Sequence, residues 1–445
     1  MTKKRIYINA FVMSTPVHQS PGLWAHPDNQ SYTYTKPQFW TALAQICEAA
    51  RFDAIFLADV LGVYDVYKGD RNTAIQHGVQ APVTDPMMNV PYMAAVTKHI
   101  GFGITSSVLH EHPYTFARRM STLDHLTQGR IGWNIVTGYL KSGVTNMGMD
   151  DQLPHDERYE IAEEYVQVVK KLWEDSWEDD AVKADKANNL YTDPAKVHDI
   201  NHVGNYYKVP GAHLCEPSPQ RTPVIFQAGA SDRGLDFATK HAELMFIGSP
   251  TMAATKKVVN NIRQKAKEQG RDPDSVKIVM IMTPIVADTA AAAKSKYESF
   301  VKYTHVEAAA ALFGGWTGID LDGVDPNATM AYIENDAMRS AIESFTKADP
   351  SRQWTFGEIA KWIGIGGRGP KLIGDPVQVA DMIEDWVEQT GIDGFNIASA
   401  IIPGTFKDFA ELVMPILQAR GRVPKTYTGT SFRDNLFGAG DRLKK

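Results

Sequence analysis

Short apolar runs alternate with longer stretches of helical periodicity along most of the chain. Residues 6–12, 53–58, 100–107, 130–139, 223–227, 244–247, 276–286 and 394–398 read as strands, apolar and stopped by polar or small residues. Between them, residues 36–51, 85–99, 113–127, 157–173, 231–241, 251–269, 290–303, 376–389 and 406–420 read as helices, the first by the spacing of Phe39, Leu43, Ile46 and Ala50. Eight strands, each followed by or paired with a helix, predict an α/β fold closed into a (β/α)8 barrel, with an open doubly wound sheet as the competing arrangement. Two segments break the rhythm of this single domain, residues 1–445. Residues 177–209 are polar and carry Asn-Asn, Asp-Pro and Gly-Asn turn signals, so an insertion with a small hairpin is expected. Residues 306–374, rich in Gly, Trp and Asp, form a second insertion and a candidate lid. The turn-rich extension 422–445 is expected to wrap a neighbour or the barrel surface.

Residues 130–139 stand out among the strands. Ile131, Trp133, Ile135 and Val136 suit a buried strand, yet Asn134, Thr137 and Tyr139 add hydrogen-bonding groups that an apolar strand does not need. A buried amide without partners costs a few kcal/mol, so something polar is expected at the mouth of this strand.

Composition narrows the class. At 445 residues and 43% hydrophobic, the chain can bury a large core without disulfides. Cys47 and Cys215 give neither a disulfide framework nor metal-ligand spacing, so a reducing, cytoplasmic compartment is expected. A net charge of -6 without a basic stripe argues against nucleic acid as a partner. The start, Met1 to Arg5, precedes a short apolar run that already contains Asn9, which reads as neither a signal peptide nor a membrane span.

In a barrel, chemistry gathers at the C-terminal strand ends, here His18, Asp59, Thr105, Asn134, Thr137, Tyr139 and residues 227–231. This set contains no Ser-His-Asp order and no pair of strand-end carboxylates. It suits the holding of a polar aromatic ligand such as a cofactor ring. Gln227-Ala228-Gly229-Ala230-Ser231 turns from strand to helix, where small residues and a helix N-terminus favour a phosphate, although Ser231 could equally be a plain N-cap. His155-Asp156-Glu157-Arg158-Tyr159 opens another helix, and Tyr159 could reach the same phosphate.

Three other motifs carry less. Gly364-Ile365-Gly366-Gly367-Arg368-Gly369 spells a dinucleotide fingerprint, but Pro370 follows where its helix should begin. His110-Glu111-His112 could place two imidazoles on one metal, without a further ligand set at the right spacing. Asp320-Leu321-Asp322-Gly323-Val324-Asp325 resembles a calcium loop, but its glycine is misplaced and Ala331 stands where a bidentate Glu belongs. Phe11, Met13, Tyr64, Phe313, Trp316 and Trp362 could wall the site, and each could equally be ordinary core.

The blocks Ile8-Asn9-Ala10-Phe11, Phe56-Leu57-Ala58-Asp59, His112-Pro113-Tyr114, residues 121–127, Gly129-Arg130-Ile131 and Trp133-Asn134 resemble the bacterial-luciferase-like superfamily. Residues 155–159, 215–223 and 391–396 continue the likeness, which spans roughly residues 4–437 and is strongest to the nitrilotriacetate, dibenzothiophene-sulfone and long-chain-alkane monooxygenases. The resemblance implies a barrel that uses FMNH2 supplied by a separate NAD(P)H:flavin reductase. It implies reaction with O2 to a peroxyflavin, insertion of one oxygen atom into a small substrate, and homodimers or homotetramers. By matching position, Asp59, Thr105, Asn134 and Thr137 would meet the flavin ring and ribityl chain. His155, Tyr159, Ala230 and Ser231 would complete the ribityl and phosphate end. His18, Tyr64 and Tyr139 are the candidates for handling the oxygen intermediate; Phe11, Met13, Thr15, Phe313, Trp316 and Trp362 are those for the substrate pocket.

The chain departs from the alkane enzyme, which carries a Cys and a His in place of Thr15 and Tyr139. Residues 313–320, 334–336 and 365–370 look more like the dimethylsulfide-oxidising members, so a small organosulfur substrate is expected. Alkanes, sulfones, amine chelators and flavins remain alternatives within the family. Outside it stand a metal-dependent hydrolase using His110 and His112, and a non-catalytic flavin-binding protein.

Overall fold

The computed structural model describes residues 4–229, 231–330, 343, 345, 346 and 352–444. The barrel strands are β1 (Tyr7–Met13), β2 (Ala54–Ala58), β3 (Gly101–Ser107), β4 (Ile131–Val136), β5 (Val224–Gln227), β6 (Leu244–Ile247), β7 (Lys277–Val286) and β8 (Gly394–Ala398). Period-two alternation splits each between two cores. In β1, Ile8, Ala10 and Val12 join the large core shared with the helices, whereas Tyr7 and Phe11 join the barrel interior. Every neighbouring pair is parallel, and the ring closes where Leu244 pairs with Lys277, Val279 with Gly394, and Gly394 with Tyr7. The sheet is therefore a closed (β/α)8 barrel and not an open one.

The longer helices are α1 (Pro37–Ala49), α2 (Pro113–Thr127), α3 (His155–Lys170), α4 (Asp232–His241), α5 (Met252–Glu268), α6 (Ala290–Val301), α7 (Val306–Thr317), α8 (Phe356–Ile363) and α9 (Pro376–Thr390). Their starts follow local chemistry. Proline opens α1, α2 and α9, and side-chain caps from Ser231, Thr251, Thr289, His305, Thr355 and Asp375 open α4 to α9. The helix expected over 85–99 is instead a 3-10 turn, Pro86–Asn89, leading into a short helix, Val90–Ala95. Pro91 explains the division: without an N–H it is tolerated in a first turn and not in a helix interior.

Aromatic rings fill the barrel. Phe56 meets Phe226, Phe11 and Phe246 with centroids 5.3, 5.6 and 5.8 Å apart. Small residues face them: a Cβ at Gly132 would lie 2.6 Å from the Phe226 ring.

The extension packs against the barrel, as one of its two expected placements had it, and seals the N-terminal end. In the helix Phe432–Phe437, Phe432 stacks on Phe226 at 6.1 Å, and a Cβ on Gly101 would come within 2.2 Å of its ring. Phe432 and Leu436 are apolar residues that the interior of the barrel takes out of water. Arg433 is buried beside them but satisfied, bonding Glu243 at 2.8 Å and the carbonyls of Thr222 and Pro223 at 2.9 Å.

In the first insertion, Val182–Asp185 pairs antiparallel with Leu190–Thr192, and His202–Val203 with Lys208–Val209. In the second, α7 is buried from Ala308 to Thr317, and α7 and α8 share an apolar cluster with Tyr64 and Leu140. The strand Lys371–Gly374 then pairs with residues 283–286 at the end of β7. Among the described residues, no helix is long and apolar enough to cross a membrane.

Candidate functional site

A cavity of about 730 Å³ opens at the C-terminal strand ends, a volume in the usual range for ligand sites. One side is built by the turn from β5 into α4. Ser231 caps α4, its Oγ accepting the Gly234 N–H at 3.1 Å, and the same Oγ lies 3.1 Å from His155 Nε2 at the head of α3. Ser231 is thus an N-cap that also lines the cavity. The His155 ring leans on Asp156 at 2.8 Å and packs against Tyr159. Burial raises the Tyr159 pKa, and its hydroxyl interacts with Gln227, Thr137 and Ser231, so it acts as a neutral hydrogen-bonding group. The Gly229 N–H donates to Gln227 Oε1 at 2.5 Å. A Cβ at Gly229 would stand 2.5 Å from Gln227 Nε2 and 2.8 Å from the Tyr159 hydroxyl, so a larger residue there displaces these side chains. Ala230 lies outside the described residues. Arg158, 1% exposed, anchors the opposite rim by donating to the Gly138 carbonyl.

The floor comes from β2, β3 and β4. Thr105 and Asn134 are register partners, and Asn134 Nδ2 donates to Thr105 Oγ1 at 2.9 Å. Asn134 Oδ1 is buried and has no hydrogen-bond partner in the structure. Asp59 and Thr137 line the same cavity. Burial, and secondarily the charge of Asp85, push the Asp59 carboxyl up to about 7.

The far wall is assembled from loops. Tyr139 lines the cavity, and its hydroxyl lies 2.7 Å from that of Tyr64, which reaches Gln80 Oε1 at 2.8 Å. Burial pushes Tyr139 up to about 12 and Tyr64 well above its ordinary value, so both keep their protons. Tyr64 fits against α7 only because position 315 is glycine, where a Cβ would lie 2.1 Å from its ring. His18 stands behind this wall, edge-on to Phe11 at 4.4 Å, with burial driving its pKa down to about 3.

The residues expected to form the substrate pocket back this wall rather than line it. Phe11 packs on Phe246, a wall residue, at 4.9 Å. Met13 is buried beside β2, and Thr15 Oγ1 donates to the Pro82 carbonyl at 2.8 Å. Phe313 and Trp316 sit in the cluster around Tyr64, and Trp362 donates to the Arg368 carbonyl at 3.3 Å. His110 and His112 part company: His110 faces the cavity, while His112 caps α2 and packs edge-on to Tyr207.

Sequence reasoning missed Arg368, whose guanidinium reaches the cavity wall and lies 5.8 Å from the Trp316 ring centroid. Burial lowers its pKa to about 10, so it remains a cation at neutral pH. The glycines that spelled a nucleotide fingerprint deliver it. Gly366 and Gly367 adopt φ of 72° and 67°, and a Cβ on Gly367 would lie 2.0 Å from Gln19 Oε1. A single arginine inside such a loop was the available signal.

This arrangement is a polar ligand cradle at the open end of a closed parallel barrel. Residues 11–394 match the luciferase-like monooxygenase family, and the chain belongs to that family. It is 50% identical to the dimethyl-sulfide monooxygenase of Hyphomicrobium sulfonivorans over 99% of this chain and 92% of that one. The crystal structure of that enzyme superposes with a TM-score of 0.92, covering 99% and 94% of the two chains. The long-chain alkane monooxygenase of Geobacillus thermodenitrificans is 49% identical over 99% and 96%. A riboflavin lyase crystallised with modified FMN and riboflavin is 36% identical, with a TM-score of 0.92 over 99% and 98%.

Proposed function

We propose that this chain is the oxygenase of a two-component system. Reduced FMN would arrive from a separate NAD(P)H:flavin reductase, and a small organosulfur compound such as dimethylsulfide would be oxygenated with O2. The observation that carries the cofactor assignment is Asn134 Oδ1, a buried acceptor without a partner, on an amide fixed by the cavity-lining Thr105. A flavin ring offers the N–H donor that such an acceptor needs. The glycine-walled turn at Gly229 and the helix N-terminus capped by Ser231 fit the phosphate of the same molecule. When bound, reduced FMN supplies the electron pair that reduces O2, one oxygen atom entering the substrate and the other leaving as water.

The chain's own residues supply the rest. His155, Tyr159 and Ser231 hold the anionic end, and Thr105, Asn134, Thr137 and Asp59 orient the ring. The Tyr64–Tyr139 hydroxyl pair keeps a proton at Tyr139 Oη on the cavity wall. His18, neutral at working pH, is suited to positioning and not to acid catalysis. Arg368 places a permanent cation on the cavity wall, suited to stabilising negative charge that would develop on oxygen. Helices α7 and α8 of the 306–374 insertion act as its cover. The similarity to the dimethyl-sulfide enzyme supports the substrate choice, with the alkane enzyme, at 49% identity, as the alternative.

Single-turnover oxidation tests this reading. Anaerobic enzyme with reduced FMN is mixed with oxygenated buffer, with and without dimethylsulfide, and followed by absorbance and product analysis. Dimethylsulfide-dependent release of methanethiol and formaldehyde is expected. Product from an alkane or sulfone instead would replace the substrate and keep the class; failure to bind reduced FMN would overturn the assignment.

A further inference from the structure

Away from the cavity, the loop between β2 and β3 meets the head of α7. His77 follows the short helix Asn72–Gln76, His305 caps α7, and Glu307 lies in its first turn. The two imidazoles face each other at 3.9 Å between centroids, tilted by 32°. One donor atom from each of the three side chains lies within 4.8 Å of the others, and all three residues are half-buried. We infer that His77, His305 and Glu307 form a binding site for one divalent ion of the zinc, cobalt or nickel type.

Two neutral imidazoles and a carboxylate are the donor set such ions prefer, with water completing the coordination, whereas calcium and magnesium favour oxygen donors. The pair suits a metal because facing imidazoles cannot both be protonated without repulsion. Glu307 already holds a cation, the Lys68 ammonium at 2.5 Å, which the metal would replace. His305 Nδ1 accepts the Ala308 N–H across a long 3.3 Å. Coordination through the other ring nitrogen would return the proton to Nδ1 and give up that cap. A bound ion would tie the loop bearing Tyr64 and Gln80 to the helix bearing Phe313 and Trp316, pinning two parts of the cover together.

The test uses tag-free, flavin-free protein titrated with Co²⁺, read by its visible absorption bands and by competition with Zn²⁺, alongside Zn²⁺-dependent melting. One ion per chain and a raised Tm are expected. His77→Ala and His305→Asn, the latter able to keep the helix cap, should each weaken binding about tenfold or more. Lys68→Ala should tighten it about threefold by removing the competing cation. Binding unchanged in both histidine variants, or weakened in Lys68→Ala, would overturn the site, as would no stoichiometric binding by the parent chain. Because no flavin is present, the outcome is independent of the proposed activity.

Discussion

The two ends of the barrel close on one aromatic interior with opposite chemistry. At the N-terminal end, Phe432 and Leu436 fill the opening, and the charged groups beside them are paired, as in Arg433 with Glu243. At the C-terminal end, Asn134 Oδ1 is left without a partner and Asp59 is held near neutrality by burial. One end spends its residues on stability. The other keeps costly polar groups facing or bordering the cavity.

This contrast can be broken by substitutions that should separate stability from binding. Phe432→Ala removes the plug and is expected to cost about 3–5 kcal/mol of stability in a denaturant titration, with affinity for reduced FMN within about twofold. A large loss of affinity at unchanged stability would reverse the roles of the two ends. Gly229→Val drives a side chain into Gln227 and Tyr159, and should weaken reduced FMN about 100-fold by equilibrium titration while the Tm holds. Arg368→Met should leave flavin affinity intact and raise hydrogen peroxide released per product about tenfold, because the cation near developing charge is lost. Equal coupling in variant and parent would remove Arg368 from the chemistry.

The comparison is also sharpened through pH. Burial pushes the Asp59 carboxyl up to about 7, from an ordinary value of 3.8. Between those values the folded state binds the extra proton, so this group's contribution favours folding at low pH and is lost as pH rises through 7. Asp59→Asn should flatten stability measured across that window. His18 works in the opposite direction. Its pKa of about 3 against 6.5 makes stability fall as pH drops below about 6.5, and His18→Gln should reduce that acid slope.

What the sequence made legible was local. The eight strands follow from apolar runs, the β5 turn from small residues before a capping serine, and the polarity of the floor from one asparagine in an apolar strand. What escaped was set by distant neighbours. Arg368 acquires its meaning from Trp316 and the cavity wall, Phe432 from Phe226 and Gly101, and the substrate-pocket aromatics from the layer in front of them. His18 was placed near the mouth by its position after β1, but only packing against Phe11 reveals an imidazole that stays uncharged. The glycine loop at 364–369 shows the same limit, since its spelling is shared by a nucleotide turn and by a strand-end hook.

The seal at the N-terminal end also dictates an order of events during synthesis. Arg5 donates to the carbonyls of Asn435 and Leu436, and Tyr7 to that of Leu436, contacts spanning 429 to 431 positions. A ribosome must therefore release all eight strands before the floor of the barrel can be laid. Until then the aromatic lumen is open to water from below. These contacts join the two ends of the chain, so the seal is made of residues that translation brings together last.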